Sequence, residues 1–225
     1  MRTMVWAAFM ACGLALSAHP QTTKPPPADA APRPAAPASR PYNPLTFTDE
    51  FDRTMWNGVL FLGDEPPWHA EVRGGYRLRN DTSQAAIRLV TAHFGAGDVP
   101  IPMKSIEADV VVESAPDPNS GVGVSFQHDD TTGPGYVFII TRGNGYAVYE
   151  CDGSGCAKKL SGTSDQIHPG LNTVRAEYSN GRSVFSINGT QVADFSSDAI
   201  RGRDAGLAAV GRGSFVFKRV VRLEE

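Results

Sequence analysis

No segment of this sequence carries a convincing apolar period of 3.6, so an architecture built on amphipathic helices is excluded at the outset. No apolar run is long enough to cross a bilayer as a helix, so no transmembrane span is expected in a mature chain. Positive charge is sparse too. The formal net charge is −3 and the arginines are dispersed. A phosphate backbone needs a basic stripe, so nucleic acid is excluded as a main partner. There is no Gly-rich phosphate loop, no defensible Ser-His-Asp spacing and no internal repeat of solenoid or propeller length. Cysteine is scarce, with three in 225 residues.

What is present is strand. Val174, Ala176 and Tyr178 alternate with Thr173, Arg175 and Glu177, the period of a half-buried strand. Asn188-Gly189 stands between two such runs and marks a hairpin, because both central residues of that turn take φ > 0. An opening strand over Phe47–Phe51 and further strands over 74–78, 85–92, 103–113, 122–128, 136–141, 145–151, 205–211 and 214–221 are expected. Residues 95–102 and 114–120 read as loops. Short strands at regular spacing, with Gly, Pro, Asp and Asn between them, argue for an all-β sandwich.

The N-terminus differs from the rest. Residues 1–18 read as a secretory signal: Arg2 is positive, 4–16 is apolar, and Ala15, Ser17 and Ala18 are small. This implies a periplasmic or extracellular location. A lipoprotein anchored at Cys12 is the weaker alternative. Residues 19–43 are a Pro/Ala-rich linker with too little apolar surface to fold, and 44–225 is the folded domain. Two cysteines then remain, Cys151 and Cys156. A disulfide across a hairpin end is expected, with 146–150 and 157–160 as arms and Cα atoms near 5.5 Å apart. Free thiols or half a metal site are the alternatives.

The order of these pieces, ending in Ala205-Gly-Leu-Ala-Ala-Val-Gly211 and the aromatic strand Ser214-Phe-Val-Phe217, resembles the concanavalin A-like jelly roll. Within it the likeness is closest to laminin G-like domains and to bacterial domains of the "domain of unknown function 1080" (DUF1080) family. The resemblance implies an antiparallel two-sheet jelly-roll sandwich. That fold hosts lectins, glucanases and passive modules. The DUF1080 likeness, carried by Asn119-Ser-Gly-Val122, implies action on 3-keto-glycosides. The run Ile106-Glu-Ala-Asp-Val-Val-Val-Glu113 resembles the catalytic strand of laminarinase-type glucanases, which would make Glu107 a nucleophile and Asp109 its assistant. The positions for the second Glu hold Val111 and Val112, so the acid that protonates the leaving oxygen is missing. Alternation alone reads the same run as an outward acidic strand, with Ile106, Ala108, Val110 and Val112 facing a core.

Sugar rings stack on flat aromatics, so Trp68, in an expected loop over 59–71, and Tyr146 and Tyr149 are candidate exposed stacking faces. Trp68, Glu107, Asp109, Gln127 and Tyr146 form the candidate ligand-binding set. No catalytic residue and no metal ligand is assigned. His69, His93, His128 and His168 lie on different segments. Calcium is the one cofactor that His128-Asp129-Asp130, or Asp49, Glu50 and Asp52, could suit, but the dense acidic loop it needs is absent. The expected function is an exported, non-catalytic module that binds a glycan or cell-envelope ligand on a concave sheet or on rim loops. The alternatives are a glycoside hydrolase or lyase acting on (3-keto-)glycosides, and a structural domain without ligand chemistry. Clustering separates them. An enzyme should bring two carboxylates, or a carboxylate and a His, into one cleft; a lectin-like module should show aromatics and amides there.

Overall fold

Alternating apolar residues, punctuated by turn residues that accept positive φ, build the described residues from strands, with no helix among them. The computed structural model describes residues 45–52, 60–83, 86–91, 103–128, 135–196 and 204–224, all within one unit, Pro41–Glu225. The expected signal and linker (1–18 and 19–43), His93, Asp129 and Asp130 lie outside the described residues.

The first strands are β1 (Leu45–Asp49), β2 (Gly63–Glu65), β3 (Trp68–Val72), β4 (Tyr76–Asn80) and β5 (Ile87–Thr91). The middle of the chain forms β6 (Met103–Ser114), β7 (Gly121–His128), β8 (Gly135–Thr141), β9 (Gly145–Asp152) and β10 (Gly155–Thr163). The last are β11 (Leu171–Ser179), β12 (Arg182–Ile187), β13 (Thr190–Ser196), β14 (Asp204–Val210) and β15 (Gly213–Glu224). They make two antiparallel sheets. One runs β13-β12-β11-β6-β15-β4-β3-β2, with β1 added on β15; the other runs β10-β9-β8-β7-β14-β5. The architecture is the jelly-roll sandwich expected from the sequence. Where the sequence suggested a loop over 59–71, the structure has the β2–β3 hairpin, which places Trp68 opposite Glu65 and against Asn80 of β4.

The Asn188-Gly189 hairpin forms as expected. Its φ values are 48° and 82°, and it pairs Ile187 with Thr190. Asn180-Gly181 turns β11 into β12 in the same way, with φ of 53° and 73°.

Inward residues from both sheets make one core. Ile106, Ala108 and Val110 of β6 and Phe215, Phe217 and Val220 of β15 face Val124, Phe126, Phe138 and Leu207. Phe185 lies at its centre, edge-on to Tyr136 at 5.5 Å and tilted on Phe138 at 5.3 Å. Each fully buried ring of this kind contributes about 1.5–3 kcal/mol by leaving water. The intervening residues of the smaller sheet are buried as well. Val137, Ile139, Ala147, Tyr149, Cys151, Ala208 and Val210 form a second cluster on its other face. A strand buried on both faces reads as an unbroken apolar run, as Tyr136–Ile140 does.

Cys151 and Cys156 stand opposite each other on β9 and β10 and are joined by a disulfide. Their Cα atoms are 3.9 Å apart, closer than the expected 5.5 Å.

Candidate functional site

The acidic strand is built into the larger sheet as a charge lattice. Glu107 and Asp109 of β6 point away from the core, while Ile106 and Ala108 are buried. Register places Asp109 beside Arg219 of β15 and Thr173 of β11. Arg219 donates from Nε to Asp109 Oδ2 at 2.8 Å and from Nη2 to Glu107 Oε1 at 2.9 Å. Thr173 Oγ1 donates to Asp109 Oδ1 at 2.6 Å, and Arg175 sits 3.7 Å from Glu107. Burial pushes the Asp109 carboxyl upward, but the Arg219 and Thr173 hydrogen bonds and the Arg219 charge outweigh it and hold it below the usual carboxylate range. Both carboxylates therefore accept from the Arg219 guanidinium. The outward-facing reading of this strand agrees with the structure.

Four other candidates sit differently from their expected places. Trp68 is no exposed stacking face: it is 4 % exposed and packs on Phe215 with ring centroids 6.4 Å apart. Tyr146 leans inward instead of outward. Its ring meets Phe138 edge-on at 6.5 Å and its hydroxyl donates to the Val192 carbonyl at 3.2 Å. Tyr149 is buried in the second cluster rather than exposed. Gln127, with φ of 53°, turns inward, and its Oε1 accepts from Ser183 Oγ at 2.8 Å across the two sheets. The physical reason is common to all. Neighbouring strands closed over side chains that the chain order left open. The Asn119-Ser120 piece is a turn into β7, where Asp117 Oδ1 accepts from the Asn119 amide at 2.8 Å and Ser120 Oγ accepts from the Arg212 amide at 2.9 Å.

Among the described residues, the His69 and His168 side chains stand on separate segments. His69 pairs with Asp64 at 2.7 Å on the β2–β3 hairpin. Asp49 is buried, and its Oδ1 accepts from the Phe51 amide at 2.7 Å. Burial raises the Asp49 carboxyl, the Phe51 hydrogen bond lowers it and the Asp52 charge raises it, so the result lies above its usual range. Among the described residues, no three His, Cys, Asp or Glu side chains gather as a metal would require. No helix among them is long and apolar enough to cross a membrane.

A cleft of about 420 Å³ opens at one rim of the sandwich. Three separate segments form it: the end of β6 (Val112 and Glu113), the β8–β9 turn (Thr141 to Asn144) and the loop before β11 (Ile167 to Gly170), with Asn172 behind. That loop is held rigidly. The buried Asn172 donates to the carbonyls of His168 and Gly170 at 2.9 and 3.1 Å and accepts from the His168 amide at 2.8 Å. Asn188, in the αL turn, donates to Asn172 Oδ1 at 3.0 Å and to the Gln166 carbonyl at 2.6 Å. Ser164 ties the loop to the neighbouring turn by donating its amide to the Asn144 carbonyl at 2.9 Å. Ile167 plugs the loop into the core.

The rim side chains are not used by this scaffold. Arg142, Asn144 and His168 are exposed, and no side-chain hydrogen bond or ion pair engages them among the described residues. Glu113 is engaged: Arg77 donates to it, and Ser214 Oγ donates to it at 3.0 Å. Val112, Ile140, Ile167 and Pro169 supply apolar floor. Apolar floor with a few convergent polar groups is the composition of small-molecule sites, and the volume is within their usual range. None of the five expected binding residues lines this cleft. His168 was noted in the sequence only as one scattered histidine. Its partners lie 24 to 55 positions away, and no local pattern joins them.

No protein-family model matches the chain, and no curated protein matches it. Solved structures do share its fold. The GH43 protein BlXynB from Bacillus licheniformis aligns over 78% of this chain and 39% of its own length, at 11% identity and a TM-score of 0.51. A carbohydrate-binding module, CBM66, from Bacillus subtilis aligns over 74% of this chain and 97% of its own, at 11% identity and a TM-score of 0.46. Sheep galectin-11 aligns over 63% of this chain and 99% of its own, at 11% identity and a TM-score of 0.42. At these identities the likeness is one of fold.

Proposed function

We propose that this chain is an exported, non-catalytic β-sandwich module that binds carbohydrate or a cell-envelope glycan in the rim cleft. The observation that carries this reading is the set of unengaged side chains, Arg142 and Asn144 on the β8–β9 turn and His168 on the loop pinned by Asn172, around an apolar floor. Hydroxyl-rich ligands need donors and acceptors already held in place, because binding then costs little ordering entropy. The engagement of Glu107 and Asp109 by Arg219 supports binding over glucan hydrolysis, since neither is held as a proton donor. Solved structures of carbohydrate-binding modules and galectins with this fold are compatible with the proposal.

A second reading has one observation in its favour. Glu113 and His168 line the same cleft, and a carboxylate with an imidazole is the minimum for hydrolysis or elimination. Arg77 and Ser214 both donate to Glu113 and occupy its carboxylate, which favours binding.

The test is binding of the secreted chain to a panel of plant and bacterial glycans, with product analysis alongside. Binding without product, weakened by His168→Ala and unaffected by Trp68→Phe, supports the module. Release of new sugar ends that Glu113→Gln abolishes supports the enzyme. N-terminal sequencing of the exported protein tests secretion. A start near His19 is expected, whereas a lipid-modified Cys12 would place the module on a membrane tether.

A further inference from the structure

We infer that the rim cleft selects a carboxylate-bearing sugar, a uronic acid, over its neutral counterpart. This rests on the sugar-binding reading of the same cleft. Its starting point is charge. Most described guanidinium groups of the larger sheet are already committed: Arg77 to Glu113, Arg175 to Glu177, Arg182 to Asp194 and Arg219 to Asp109. Arg142 is not. It stands exposed in the β8–β9 turn, lines the cleft, and makes no ion pair among the described residues.

The other cleft groups fit the same ligand. Among the described residues the one carboxylate there, Glu113, is paired with Arg77, which also lies 3.5 Å from Glu71, and Arg142 is the cleft guanidinium without an acid partner. A guanidinium presents planar paired donors that match a carboxylate in a two-point contact. Asn144 offers amide donors, and the His168 ring offers an N–H. Val112, Ile167 and Pro169 give apolar surface for the C–H face of a pyranose ring. A monoanion balances one unpaired cation. A doubly charged phosphate would leave excess negative charge beside Glu113, which argues for a carboxylate over a phosphate ester.

The experiment titrates the full chain with the methyl glycosides of glucuronic, galacturonic and mannuronic acid. The matching neutral glucoside, galactoside and mannoside and glucose 6-phosphate serve as comparisons. NMR follows the Arg142 and Asn144 side chains and the His168 ring. We expect one uronide to bind about tenfold more tightly than its neutral partner, the gain of one charge-assisted contact at a solvated rim. Arg142→Gln should erase that difference, since Arg142 supplies the ionic contact that separates the acidic from the neutral glycoside. Arg142→Lys should restore part of it. Equal binding of acidic and neutral glycosides at these signals would overturn the inference and leave the sugar-binding reading standing. Tighter binding of glucose 6-phosphate, or a uronide preference that survives Arg142→Gln, would also overturn it. No shift with any of the seven compounds would remove both the inference and the reading beneath it.

Discussion

Arg219 of β15 grips Asp109 of β6 through Nε at 2.8 Å, and the same guanidinium reaches Glu107 at 2.9 Å. One side chain thereby staples two central strands of the larger sheet and occupies the carboxylate pair that most resembled a hydrolytic site. Asp109→Asn should destabilise the fold by about 1 kcal/mol, less than a fully buried charge-assisted bond because solvent screens the sheet surface. Glu107→Gln should cost about 0.5 kcal/mol, since Glu107 shares Arg219 and is the looser partner. Urea unfolding of the two variants checks both. A Glu107→Gln loss larger than the Asp109→Asn loss would contradict the assignment.

The same contact sets a pH dependence. The folded carboxyl of Asp109 lies below its unfolded value, so its contribution is complete above the unfolded pKa. As pH falls through the folded pKa the native carboxylate takes up its proton, and the contribution is lost. The stability gap between the native protein and Asp109→Asn should therefore narrow as pH falls from about 6 towards about 3. A gap that stays constant or widens would show that Arg219 does not hold the charged form.

The disulfide closes a short ring, with a sequence separation of five. Loop-closure entropy for so few residues is worth about 2 kcal/mol. Cys151→Ser with Cys156→Ser should lower stability by that amount or less and leave the β9–β10 hairpin paired, since the strands also pair through Glu150, Tyr149 and Val148. Thiol labelling of the exported chain without reduction should modify neither cysteine.

Trp68 separates packing from binding. It is buried against Phe215 beside the β3–β4 pairing. Trp68→Ala should cost about 3–5 kcal/mol of stability through the cavity it leaves. At temperatures where that variant remains folded, its glycan affinity should match the native protein. Calorimetry on folded samples checks this, and a selective loss of affinity would return Trp68 to the binding site.

Part of this molecule was legible residue by residue. The strand over 173–178 follows from alternation, the turn at 188–189 from Asn-Gly, and the inward face of β6 from Ile106, Ala108 and Val110. These are local rules, in which a residue's neighbours in sequence decide its backbone. The β2–β3 hairpin was missed because β2 has only three residues, Gly63–Glu65, too few to show a period. Tyr136–Ile140 showed no alternation because both faces of β8 are buried.

The sequence by itself determined an all-β chain, its main turns and the pairing of Cys151 with Cys156, since each depends on residues close together along the chain. Tertiary structure alone decided exposure and convergence. Trp68 and Tyr146 carry the same amphipathic rings whether open or covered, and only the closing of Phe215, Phe138 and Val192 over them settled which. The rim cleft joins Glu113 from a strand end, Arg142 from a turn and His168 from a loop, which the jelly-roll crossovers bring to one edge. No local pattern encodes that meeting, because long-range strand pairing sets it.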